Sequence, residues 1–209
     1  MKNTINLHSV LLVFILSIFC ITTLLAQEEQ IRKDISLIAE RDFKNFIDII
    51  PVGLEKYYGF SNREEFCKAF LGKPICTFNI NKPSINTEYI DTSKTNYQIT
   101  ELWNIPIIVE GNICCLLKVR SNGNQYSVVG IGGSQTALEI DNAVKKMKLN
   151  EEKEFSILIS PETKTRYLIF YDHSITYKNS KGIKIGGNNK SDNLNELTLL
   201  DILKSLRYN

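Results

Sequence analysis

The chain has 209 residues, 43% apolar and 23% charged, with 25 Lys and Arg against 23 Asp and Glu. That balance excludes a disordered tail, a collagen-like repeat and a long coiled coil. A net charge of +2 is too small for the broad positive field that nucleic-acid binding or adhesion to anionic membranes needs, so neither is expected as a partner beyond the leader.

Lys2, the uncharged apolar run 10–25 and the small residue Ala26 follow the order of a secretory signal peptide: cationic start, apolar core, small residue at the cut. Cleavage is expected after Ala26. Removing 26 residues of 209 leaves 183, residues 27–209, a length that suits one domain with a full core. Leu24, bulky for its place before the cut, leaves an uncleaved N-terminal anchor as the alternative. Ile18 and Phe19 before Cys20 do not suit a lipid-modified cysteine. The expected destination is periplasmic, cell-surface or extracellular.

From 28 to 50 the residues Ile31, Ile35, Ile38, Phe43, Phe46, Ile47 and Ile50 fall mostly three or four apart, which predicts an amphipathic helix that Pro51 terminates. Ser61 with Glu64 fits a capping box opening a short helix through Phe66 and Phe70 to Gly72. Residues 75–80 read as a strand and 81–96 as a loop. Three β-rich runs follow, 105–110, 113–120 and 125–131, separated by Gly111-Asn112 and by a segment containing Asn122-Gly123, the pattern of an antiparallel meander. Pro106 has no N–H for a ladder and is expected at an edge or a bulge.

Ser134 is the expected cap of a helix reaching about Lys148, with Ala137, Leu138, Ile140, Ala143, Val144 and Met147 inside. Residues 154–160 and 165–171 read as a hairpin around 161–164, nearly all apolar, so at least one strand is central. A loop is expected over 182–192. Asn193 with Glu196 then opens a final helix carrying Leu194, Leu197, Leu200, Leu203 and Leu206. The sum is an α+β domain with a helical part, 27–72, and a sheet-rich part, 73–209, its sheet expected to be antiparallel. The order of a long helix and a hairpin-linked sheet resembles cystatin-like curved-sheet folds over about half the chain, without a shared motif and with no function implied.

Four cysteines follow the leader: Cys67, Cys76, Cys114 and Cys115. In an oxidising compartment an even count favours disulfides, and Cys67–Cys76 is the expected bridge across a short loop containing Gly72 and Pro74. Cys114 and Cys115, adjacent on a strand, are expected on opposite faces as small buried residues. His173 is the one histidine after the leader, and the sequence has neither C-x-x-C nor H-E-x-x-H, so neither metal nor cofactor is expected. Residues 188–193 lack the alternating acids of a calcium loop.

Nucleophilic catalysis would have to pair His173 with a cysteine, and no G-x-S-x-G is present. Gly130-Ile131-Gly132-Gly133 lacks the third glycine of a dinucleotide cradle and a Walker lysine, and reads as a sharp turn into a helix. No catalytic residue is therefore assigned. The aromatics Tyr57, Tyr58, Phe60 and Trp103 are the candidate binding residues, because flat rings with a polar handle suit interfaces and sugar stacking. The expected function is an exported, non-catalytic domain that binds a protein, peptide or glycan. The alternatives are a small exported hydrolase or thiol enzyme using His173 with a cysteine, and an envelope assembly component held by its leader.

Overall fold

A computed structural model describes residues 7–80, 97–123, 125–148, 154–161, 164–171, 181–186 and 197–198, with most of their side chains from Gln27 onward. Helix α1 (Leu7–Asp48) passes unbroken through the expected cut after Ala26. Its inward stripe holds Ile35, Ala39 and Ile47 buried, with Ile31, Ile38, Phe43 and Phe46 packed beside them. Pro51 stops it, since a proline ring meets the carbonyl four residues back and drives the preceding residue out of the helical region. Among the described side chains no helix is long and apolar enough to cross a membrane.

The strands are β1 (Phe70–Leu71), β2 (Ile75–Ile80), β3 (Tyr97–Val109), β4 (Asn112–Asn122), β5 (Gln125–Gly132), β6 (Glu154–Ser160), β7 (Thr165–Tyr171), β8 (Lys181–Gly186) and β9 (Leu197–Thr198), with helix α2 (Ser134–Lys146) between β5 and β6. They form one sheet in the order β5-β4-β3-β2-β6-β7-β8-β9, with β1 also on β3. The fold is α+β, and the meander β3-β4-β5 is present. The sheet is mixed, however: β2 and β6 run parallel while the other pairs are antiparallel. The expectation of an antiparallel sheet failed because α2 carries the chain from β5 across to the far side of β2, and a crossover of that kind permits parallel pairing.

Two cores lie on opposite faces of the sheet. On one, α1 covers Trp103, Ile105, Ile107, Leu117 and Val119. On the other, Ala137, Ile140 and Ala143 of α2 meet Ile75, Leu116, Ile157, Leu168 and Ile183. Helix α2 touches both β4 and β8, which have four strands between them in the order, so the sheet curls around it. Extra residues in several strands assist the curl, because a bulge bends a strand and raises its twist. One lies in β4 between the pairs Ile107–Cys115 and Ile108–Ile113.

Several expectations shift. Strand β3 begins at Tyr97, so Trp103 lies within it and not before it. It is central, and Pro106 is tolerated for a different reason. Its carbonyl accepts from Gly72 N–H at 2.8 Å, so its missing N–H points toward the break between β1 and β2. The first hairpin turns on Glu110 and Gly111, both at positive φ as a type I′ turn requires, one residue earlier than expected. The expected helix 61–72 is a 3-10 helix, Arg63–Lys68, followed by β1, and its cap is Asn62.

Leu138 is exposed on α2. The expected loop 182–192 begins instead as β8, with Ile183 and Ile185 buried. Leu197, expected in a final helix, is extended in β9, and Leu194, Leu200, Leu203 and Leu206 lie outside the described residues.

Candidate functional site

After Pro51 the chain turns, with Leu54 N–H donating to Pro51 O at 3.1 Å and Gly53 at φ +89°, then forms the 3-10 helix Glu55–Tyr58. Gly59 ends it in the left-handed region, also at φ +89°. Its backbone lies flat against β4: a Cβ placed there would stand 2.2 Å from the carbonyl oxygen of Cys114. Only glycine satisfies both the dihedral and the approach.

Side chains fix the loop at several further points. Ser134, the expected cap of α2, instead donates its hydroxyl to Tyr57 O at 2.9 Å, while Gly133 is the N-cap without a side-chain bond. Arg63 donates to the carbonyls of Ile50 (2.9 Å) and Asp48 (3.1 Å), closing the end of α1, and its guanidinium lies over the Phe66 ring at 5.1 Å. Glu55 faces Arg63 at 3.5 Å and accepts from Gly53 N–H at 2.8 Å; its own backbone N–H first, then Gly53 N–H and Arg63, hold its carboxyl below the usual range against the cost of burial. Phe66 meets Phe60 edge-on at 4.9 Å. A loop tied at this many points is a preorganised surface and pays little ordering entropy on binding.

Beneath it lies the β4 bulge. The extra residue breaks the ladder there, and Asp141, buried on α2, accepts the Ile113 N–H at 3.1 Å. Lys145 joins the same knot, donating to Asp141 at 2.6 Å and to Asn112 Oδ1 at 2.5 Å. The bulge also cancels the alternation expected of Cys114 and Cys115. Cys115 is buried in the α1-side core and Cys114 packs against that same core. Burial, and then the Glu65 carboxylate, pushes the Cys114 thiol up. Burial pushes Cys76 up to about 12, and raises Cys115 as well. A nucleophilic thiol needs the opposite shift.

The Cys67–Cys76 bridge expected from the sequence is not formed. Cys67 is exposed on its 3-10 helix and donates to Glu64 O at 2.9 Å, whereas Cys76 is buried beside Trp103, and both are free thiols. Proximity in sequence was a poor guide because β1 and the break at 72–74 intervene, and Cys76 turns into the core. Among the described residues no group of three or more His, Cys, Asp or Glu side chains is placed to hold a metal ion. His173 lies outside the described residues.

The four candidate aromatics separate. Tyr57 is 76% exposed and Tyr58 half-buried beside it, ring centroids 5.5 Å apart. Phe60 and Trp103 are buried. The Trp103 ring is covered by Arg32 of α1, which also donates to Pro74 O at 2.7 Å and pairs with Glu28 at 3.0 Å. Trp103 thus locks the middle of α1 to the sheet, whereas the 57–60 loop closes its C-terminal end.

Three residues missed by sequence reasoning join Tyr57 at the surface: Ile49 (68% exposed), Val52 (83%) and Leu54 (47%). One signal was available. Ile49 and Ile50 are adjacent at a helix end, so only one can face the core, and Val52 and Leu54 flank a turn glycine. No family model, curated protein or solved structure matches this chain.

Proposed function

We propose that this protein is an exported, non-catalytic binding domain whose contact surface is the tip formed by Ile49, Val52, Leu54 and Tyr57. The observation that carries this reading is the exposure of four large apolar side chains on a short segment that is otherwise firmly tied down. Scattered exposed apolar residues need no explanation, but a local concentration rimmed by polar groups marks an interaction site. Lys56 is exposed on the rim, while Glu55 is turned in toward Arg63. An apolar pocket on a protein or peptide suits this tip best, and a glycan suits Tyr57 alone.

Raised thiol pKa values at Cys76, Cys114 and Cys115 count against the thiol-enzyme alternative. A second reading, the anchored envelope component, is favoured by the continuity of α1 through Ala26. Intact mass of the protein from its own cell separates the two. A chain beginning at Gln27 supports export with cleavage, and one retaining residues 1–26 in the membrane fraction supports the anchor. The binding reading itself is tested by peptide and glycan arrays probed with wild type and with Val52→Ser/Leu54→Ser/Tyr57→Ala. Peptide signals lost in the variant support it, and identical patterns from both proteins overturn it.

A further inference from the structure

Among the described residues β5 ends the sheet, hydrogen-bonded to β4 alone. One face of it, through Val128, Tyr126 and Ile131, packs in the core beneath α1. An edge strand offers a row of unpaired N–H and C=O groups, and natural proteins guard such edges with Lys, Pro, inward charges or bulges. This edge has only the bulge: Val128 and Gly130 pair with consecutive residues Val119 and Lys118, leaving Val129 extra. Val129 is 41% exposed, so even the bulge turns an aliphatic side chain outward.

The sequence around β5 sharpens the point. In a chain that is 23% charged, residues 121–138 contain no Asp, Glu, Lys, Arg or His. We propose that β5 pairs with β5 of a second copy of this chain, antiparallel about a two-fold axis, joining two sheets into one. In an antiparallel isologous contact a residue on the axis meets its own counterpart and every other residue meets one from the same strand, so charges of one sign in the strand would face each other and destabilise the ladder. A foreign strand can supply opposite charges, whereas self-pairing is best served by none. Ser127 and Gln125, exposed and uncharged, complete a strand with no charged side chain to oppose its copy. The Tyr57 carbonyl meets Ser134, two residues past the end of β5, but the tip side chains belong to a different segment, so separate variants probe the two contacts.

Sedimentation velocity over a concentration series tests this on the full chain as the cell delivers it, with mild detergent if the leader is retained. Wild type should dimerise, and Ser127→Lys/Val129→Lys should raise the dimer dissociation constant about tenfold or more with unchanged circular dichroism. Tyr57→Ala should remain dimeric whatever it does to partner binding. If the lysine variant misfolds, amide exchange on wild type decides, because β5 amides facing away from β4 should slow as concentration rises. A monomer throughout the series, an undiminished dimer in a folded lysine variant, dissociation by Tyr57→Ala, or β5 exchange independent of concentration overturns the proposal.

Discussion

Gly59 decides where the aromatic loop sits. It combines a left-handed backbone with contact against the Cys114 carbonyl, and no side chain relieves both. Gly59→Ala should therefore cost about 2–4 kcal/mol, more than an ordinary surface substitution, because the clash is with backbone. Urea denaturation checks this, with a loss below roughly 0.5 kcal/mol contradicting the close approach. Gly53, at the same φ but with open space around its Cβ position, should be milder. The buried thiols give a second residue-scale expectation. Cys76 keeps its proton in the folded state up to about 12 against an ordinary 9.0, so both states are protonated below the lower value and its burial is fully tolerated there. As pH rises between the two values the unfolded chain loses the proton first, and stability falls by up to about 1.4 kcal/mol per pH unit per thiol. Urea midpoints should drop as pH rises from about 9 toward about 12, and Cys76→Ala should flatten the drop. Parallel curves for the two proteins would contradict the burial argument.

Among the elements, α2 is the axis about which the sheet curls, and Ile140 is its fully buried contact with the second core. Ile140→Ala should cost about 2–5 kcal/mol in thermal or urea unfolding, and a loss under roughly 1 kcal/mol would mean α2 is peripheral. The sequence made α2 and α1 legible through their apolar period, and the meander through its Gly and Asn turns. Irregular pieces were harder to read. A bulge residue such as Cys114 breaks the two-residue alternation on which face assignments depend, so both adjacent thiols meet the α1 core. β8 hid because Lys181, Gly182, Lys184 and Gly186 resemble a loop, although Ile183 and Ile185 mark a buried strand. Of the candidate site, Tyr57 was legible as an aromatic beside a turn glycine. Asp141 was not, because its task is to receive an N–H left over by a bulge 28 residues away.

At the scale of the whole molecule, α1 ties the sheet to the proposed contact loop. Its middle is fastened by Arg32 to Trp103 and Pro74, and its end by Arg63 to the loop that carries the apolar tip. Among the described side chains of α1 the first fully buried one is Ile35, nine residues beyond the expected cut after Ala26. Trp103, buried and covered by Arg32, should act on stability alone: Trp103→Ala is expected to cost about 3–5 kcal/mol and to weaken binding only in proportion to unfolding. The central claim, that the tip is the contact surface, is tested most directly by a photo-crosslinking residue placed at position 57 in the producing cell, beside a control at Leu37 of α1, which is also exposed. The account predicts a defined cross-linked partner from position 57, absent from position 37, and lost when Val52→Ser and Leu54→Ser are added without a change in melting temperature. Equal cross-linking from both positions, or a partner that persists in the folded double variant, would contradict it.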